Sequence, residues 1–206
     1  MITMIDYGIG NLRSVQKALE HAGATVRLSA DPVAIRGAEK LVLPGVGAFG
    51  AGMAALQTRG LTEPILEAAG RGTPLLGICL GMQLLFDESE ERGRYDGLGL
   101  LPGRVVRFAD KELKVPHIGW NQIEHDGTHP LLQGAASGTH TYFVHSYYCR
   151  PARAEDVIAR TVYGEPFAAI AGHANVVGIQ FHPEKSQQVG LRILHNFVEW
   201  GLEKGC

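Results

Sequence analysis

The chain has 206 residues, enough for one substantial hydrophobic core and short for two full domains. Hydrophobic residues make up 45% and charged residues 19%, which excludes disorder as the dominant state. Lys and Arg number 19 against 21 Asp and Glu, a formal charge of −2, so no global basic field attracts nucleic acid or an anionic membrane. No apolar run approaches the ~20 residues of a membrane span. The first residues reach Asp6 with no basic segment before it, unlike a signal peptide. Three scattered cysteines, Cys79, Cys149 and Cys206, fit a reducing cytoplasm better than a disulfide scaffold.

In chain order, the pattern predicts a strand over 2–6, then a helix in which Leu12, Val15, Leu19 and Ala22 recur at helical spacing, stopped by Gly23. Strands follow over 25–28 and 40–43, the latter broken by Pro44-Gly45-Val46-Gly47. Met53 and Leu56, then Ile65, Leu66 and Ala69, read as helical. Residues 73–79 form a continuous apolar run, the mark of a buried parallel strand, and 81–86 start another helix. The second half reads as short strands over 105–108, 118–121, 139–144, 157–162, 167–171 and 176–181, closed by a helix over 186–200. The fold class is α/β: a mostly parallel central sheet flanked by helices and extended by antiparallel strands, in a single domain over 1–206. Ligands of such sheets bind at the carboxyl ends of the strands.

Gly77-Ile78-Cys79-Leu80-Gly81 sits between a predicted buried strand and a predicted helix. It is a nucleophile elbow with Cys in the nucleophile's place: glycines relieve a crowded turn, and the helix start offers N–H groups to a thiolate or an oxyanion. A buried free cysteine with no chemistry is the competing reading. A thiol nucleophile needs a base, and Gln180-Phe181-His182-Pro183-Glu184 offers one. Extended backbone would put His182 and Glu184 on one face, so that the carboxylate orients the imidazole. A zinc-deaminase reading of His-x-Glu fails for want of Pro-Cys-x-x-Cys downstream. The Pro44-Gly45-Val46-Gly47 loop lacks the Gly-Lys-Ser/Thr of a P-loop, and can instead turn an N–H toward Cys79. Gly8-Ile9-Gly10 starts a dinucleotide fingerprint, but Arg13 stands where its third glycine belongs.

The elbow, the Pro-Gly-Val-Gly loop and His-Pro-Glu, in this order, resemble the class I (triad) glutamine amidotransferases. Asp6-Tyr7-Gly8-Ile9-Gly10-Asn11 and Val115-Pro116-His117-Ile118-Gly119-Trp120-Asn121 are similar, more narrowly, to the family of glutaminase subunits of imidazole glycerol phosphate synthase. The resemblance spans nearly the whole chain. It implies that Cys79 attacks the glutamine amide, that His182 moves the protons and that Glu184 holds His182. It places the oxyanion donors on the backbone of Val46 and Leu80, and the amino-acid end of glutamine at Gly47, Gln83, Ser146 and Tyr147. No metal and no cofactor are implied. The implied partner is a cyclase subunit with a (β/α)₈ barrel, in a heterodimer meeting this chain at Asn11, Trp120, Tyr142 and Lys185. That partner would use the ammonia to make imidazole glycerol phosphate and aminoimidazole carboxamide ribotide in histidine biosynthesis, with no role for nucleic acid or membrane. Another triad amidotransferase subunit, or a stand-alone cysteine hydrolase of the same fold, is the alternative.

Overall fold

A computed structural model describes residues 1–109 and 112–201; Cys206 lies outside the described residues. β1 (Ile2–Ile5) leads into α1 (Leu12–His21), β2 (Val26–Ser29) and the short α2 (Pro32–Arg36). β3 (Leu41–Gly45) precedes α3 (Phe49–Thr58) and α4 (Thr62–Gly70). β4 (Leu75–Cys79) runs straight into α5 (Leu80–Leu84). Nine strands follow: β5 (Phe86–Ser89), β6 (Tyr95–Asp96), β7 (Leu101–Arg107), β8 (His117–Ile123), β9 (Thr139–His145), β10 (Tyr147–Pro151), β11 (Val157–Tyr163), β12 (Glu165–His173) and β13 (Val176–Ile179). α6 (Gln187–Glu199) ends the described chain.

The main sheet has seven strands in the order β11-β12-β13-β4-β3-β1-β2. β13, β4, β3, β1 and β2 are parallel, and β12 and β11 add antiparallel strands at one edge. β1, β3, β4 and β13 are buried along their whole length, which is why they read as unbroken apolar runs. Alternate residues serve opposite faces. From β4, Leu76 and Ile78 pack with Val15 and Leu19 of α1 and Ile193 and Phe197 of α6. Leu75 joins Phe49, Leu56 and Ile65 of α3 and α4 on the other side. Each such fully buried Leu, Ile or Phe contributes roughly 1.5–3 kcal/mol against exposure.

The structure departs from the sequence-based expectations in several places. β3 continues through Pro44 and Gly45 rather than breaking at them. β1 pairs with β3 only as far as Val42, so Pro44 sits beyond the two-sided part of the ladder, where proline is tolerated. The helix after the elbow spans Leu80–Leu84 rather than 81–86, and Phe86 already belongs to β5. Of the strands in the second half, only β11, β12 and β13 join the main sheet. β10, β7, β5 and β6 form a separate four-stranded sheet, and β8 and β9 a two-stranded hairpin.

Candidate active site

Three neighbouring strands deliver the site from their carboxyl ends. β3 ends at Gly45, opposite Cys79 in register, and hands on to Val46 and Gly47. β4 ends at Cys79. β13 ends at Ile179, opposite Ile78, and Gln180, His182 and Glu184 follow.

Cys79 has φ 54° and ψ −111°, a left-handed backbone strained for a residue with a side chain. The flanking glycines permit it. A Cβ on Gly81 would fall 1.8 Å from the Leu43 carbonyl oxygen, and one on Gly77 would meet Gly81 backbone at 2.7 Å. Strand and helix therefore touch backbone to backbone, and the thiol projects where they part. Its Sγ lies 4.0 Å from the Val144 carbonyl and 4.0 Å from Gln180 Nε2. With only five residues, α5 has a weak dipole; its contribution rests on the N–H of Leu80, which opens the helix and has no intrahelical partner.

His182 Nδ1 donates to Glu184 Oε1 at 2.8 Å, and both side chains are almost wholly buried. The contact is not made on a strand, as extended backbone would have it. His182 is extended (φ −96°, ψ 98°), but Glu184 sits in a 3₁₀ turn, Pro183–Lys185, that folds the carboxylate back under the ring. Burial alone would lower the imidazole pKa. The Cys79 sulfur and the Glu184 carboxylate outweigh it and raise the pKa to about 10. The His182 main chain is pinned too: its N–H donates to the Tyr142 carbonyl, and its carbonyl accepts from Ser186 Oγ at 2.7 Å, which in turn accepts from the Tyr142 N–H.

Cys79 and His182 open onto a cavity of about 340 Å³ that also touches Val46, Gly47, Leu80, Gln83, Ser146, Tyr147 and Lys185. Every catalytic, oxyanion and glutamine-binding position named from the sequence therefore lines one cavity, apart from Glu184 behind the imidazole. Gly47 holds φ 101° and Val46 is 40% exposed, so the loop turns at the cavity rim. Under it, the Tyr7 hydroxyl donates to the Pro44 carbonyl at 2.9 Å. Gln83 Nε2 donates to the Tyr147 carbonyl and to Gln180 Oε1, which occupies both its N–H groups and leaves Oε1 to offer a ligand. Of the positions that the resemblance assigns to a partner, Trp120 and Tyr142 are cross-strand neighbours with rings 5.9 Å apart, and Lys185 Nζ lies 5.7 Å from the Tyr142 ring. Asn11 stands at the N-cap of α1, where its side chain makes no capping bond, and α1 packs against the 3₁₀ turn that holds Lys185.

Four lining residues, Glu91, Pro116, Val144 and His145, are not among the site residues named from the sequence. Glu91 lines the same wall and accepts the Phe49 N–H at 2.7 Å, tying it to the helix behind the Val46 loop. In sequence it is one acid of a charged run, and no local signal distinguishes it. Gln180, two residues before His182 at a buried strand end, carried a legible signal, since a buried amide there must have partners.

A strained Cys, a carboxylate-held His and a glycine-turned loop around one cavity suit acyl transfer through a thioester. The family description "Glutamine amidotransferase class-I" matches residues 3–200. A crystal structure of a glutamine amidotransferase superposes with a TM-score of 0.76 at 20% identity, over 96% of this chain and 97% of that one. PurLQS from Thermotoga maritima gives 0.73 at 19% identity, over 97% of each chain. These two likenesses are of fold. The chain belongs to the class I glutamine amidotransferases.

Its similar relatives are narrower. "Imidazole glycerol phosphate synthase subunit HisH" of Syntrophotalea carbinolica is 55% identical, over 96% of this chain and 98% of that protein. The protein of the same name from Salinibacter ruber is 52% identical, over 96% and 94%. Within its class, the chain belongs to the HisH family of imidazole glycerol phosphate synthase subunits.

Proposed function

We propose that this chain, a single amidotransferase domain acting in the cytoplasm, hydrolyses glutamine and passes the ammonia to a cyclase subunit of imidazole glycerol phosphate synthase. Cys79 gives its thiol proton to His182 Nε2, and the thiolate Sγ attacks the side-chain amide carbon. The tetrahedral oxyanion is held by the N–H groups of Val46 and Leu80. As the C–N bond breaks, His182 gives its proton to the departing ammonia, leaving a thioester on Cys79. His182 then takes a proton from water, whose oxygen attacks the thioester and releases glutamate. Glu184 keeps the proton-carrying Nδ1 of His182 fixed, so Nε2 faces the reaction. Glu91 and Gln83 Oε1 are acceptors suited to the α-ammonium group, and Gly47, Ser146 and Tyr147 form the wall for the carboxylate. The cyclase, a (β/α)₈ barrel in a heterodimer, docks over Asn11, Trp120, Tyr142 and Lys185.

The observation that carries this reading is the 2.8 Å His182–Glu184 bond beside a left-handed Cys79 in one shared cavity. An electrophilic glutamine analogue should label Cys79 alone. Cys79→Ala should abolish glutamine-dependent synthesis by the complex while added ammonia still supports it. Labelling at Cys149, or glutamine turnover by Cys79→Ala, would overturn the assignment.

A further inference from the structure

The hairpin β8–β9 has two unlike faces. Ile118 and Trp120 point outward and are 59% and 47% exposed. Inward, His117 stands directly opposite His145, and both are buried. Neither belongs to the triad, yet hydrogen bonds join them in a chain with one consistent direction. Asn121 Nδ2 can only donate, so His117 Nε2 accepts from it at 3.3 Å. The His117 proton is then on Nδ1, which donates to His145 Nε2 at 3.1 Å. At the far end the Tyr147 carbonyl can only accept, so His145 Nδ1 donates to it at 2.8 Å. Both ends dictate the same middle, and both rings are neutral. Burial pushes in the same sense, lowering the pKa of His117 to about 4 and of His145 to about 3.

The chain continues to the nucleophile. The Tyr147 carbonyl also accepts from Gln83 at 2.9 Å; Gln83 donates to Gln180 Oε1 at 3.2 Å; Gln180 Nε2 faces Cys79 Sγ. His117 is held in place by stacking on Tyr163 at 4.0 Å and Phe143 at 5.0 Å between ring centres. His145 itself forms part of the cavity wall.

We propose that His145, oriented by His117, is a positioning residue for the glutamine pocket: it fixes the Tyr147 carbonyl and through it Gln83, and so couples the outward face of the hairpin to the site. This rests on the glutaminase reading above. A shift of β8 or β9 under a docked partner moves His117 or His145, and the Tyr147 carbonyl and the Gln83 amide move with them.

The test uses His145→Leu, His145→Asn and His117→Leu, each in complex with the cyclase subunit, with glutamate release measured against glutamine concentration. His145→Leu should raise KM for glutamine about tenfold, the factor matching one hydrogen bond's net contribution. His145→Asn, whose amide can replace the Nδ1 donor, should bring KM back to within about twofold of wild type. His117→Leu, one residue further from the cavity, should raise KM in the same direction. A purely structural role would lower the melting temperature and the active fraction but leave KM in place. An unshifted KM in folded His145→Leu, or no rescue by Asn, overturns the proposal. If His145→Leu does not fold, an unshifted KM in His117→Leu overturns it. A wild-type complex that releases no glutamate would overturn the glutaminase reading as well; an active wild type with unshifted variants overturns this inference only.

Discussion

His182 is subject to opposing forces. Burial favours the neutral ring, while the Cys79 sulfur and the Glu184 carboxylate favour the cation and prevail, raising its pKa to about 10. Removing the sulfur removes one of those attractions, so in Cys79→Ser the His182 midpoint should fall toward 6.5, followed by NMR of the labelled imidazole. A midpoint that stays near 10 would show that Glu184 alone sets it. His117 and His145 are the reverse case. Their folded pKa values, about 4 and about 3, lie below the ordinary 6.5, so the unfolded chain binds more protons between 6.5 and those values. Their contribution is present above pH 6.5 and is lost as pH falls through about 4 and 3. Each group adds up to about 1.4 kcal/mol of stability per pH unit inside that window. Urea unfolding across pH 4–6.5 should show a shallower slope for His117→Phe than for wild type. The triad was legible because Gly-x-Cys-x-Gly and His-Pro-Glu keep their chemistry within a few residues of sequence. Glu91 was not, because its role is defined by a partner, Phe49, 42 residues away. The His182–Glu184 contact was anticipated on a strand and is made through a turn, since Pro183 begins a 3₁₀ segment rather than prolonging β13.

At the scale of elements, the elbow is among the tightest joins of the described residues. Gly81 has its α-carbon against the Leu43 carbonyl of the neighbouring strand, with backbone on both sides of the contact. Neither side can yield as a side chain would. Gly81→Ala should therefore destabilise by about 3 kcal/mol, the upper end of overpacking costs, read from the urea midpoint at unchanged slope. A midpoint equal to wild type would mean that β3 and α5 can separate. The elements around this join were legible: β4 by its apolar run, α1 by its period, α6 by Val189, Ile193 and Phe197 at helical spacing. β5, with the sequence Phe-Asp-Glu-Ser, and the two-residue β6 were not. Their strand character comes from pairing with β7 and with each other, not from hydrophobic alternation.

For the whole molecule, the order of strands decides what meets what. β3, β4 and β13 lie side by side, so the loop, the nucleophile and the base converge, as open α/β sheets place ligands beyond their strand ends. Sequence pattern pointed to a parallel sheet but not to its order, because a buried apolar strand is equally suited to any interior place. It also did not separate the hairpin β8–β9 from the main sheet, since alternation tells which face is buried and not which neighbour buries it. The hairpin's outward Trp120 neighbours Tyr142, whose ring faces Lys185, a residue of the cavity wall. On the docking surface proposed above, a half-exposed Trp is the usual kind of energetic anchor. Trp120→Ala should weaken binding of the cyclase subunit by about 30-fold, or about 2 kcal/mol, in titration calorimetry. Unfolding of the isolated chain should shift by no more than about 0.5 kcal/mol. An unchanged affinity would move the interface elsewhere.

The same convergence of strand ends bears on how the chain comes into being. Cys79 is made early, while His182 is laid down 103 residues later, just past β13, which takes its place between β4 and β12. Contacts of such long sequence separation form late in folding, after the loops between them have closed. Until β13 docks, the thiol has neither its base nor the orienting carboxylate. A nascent or half-folded chain therefore holds a cysteine without the means to open an amide, and capacity for turnover arises only with the finished sheet.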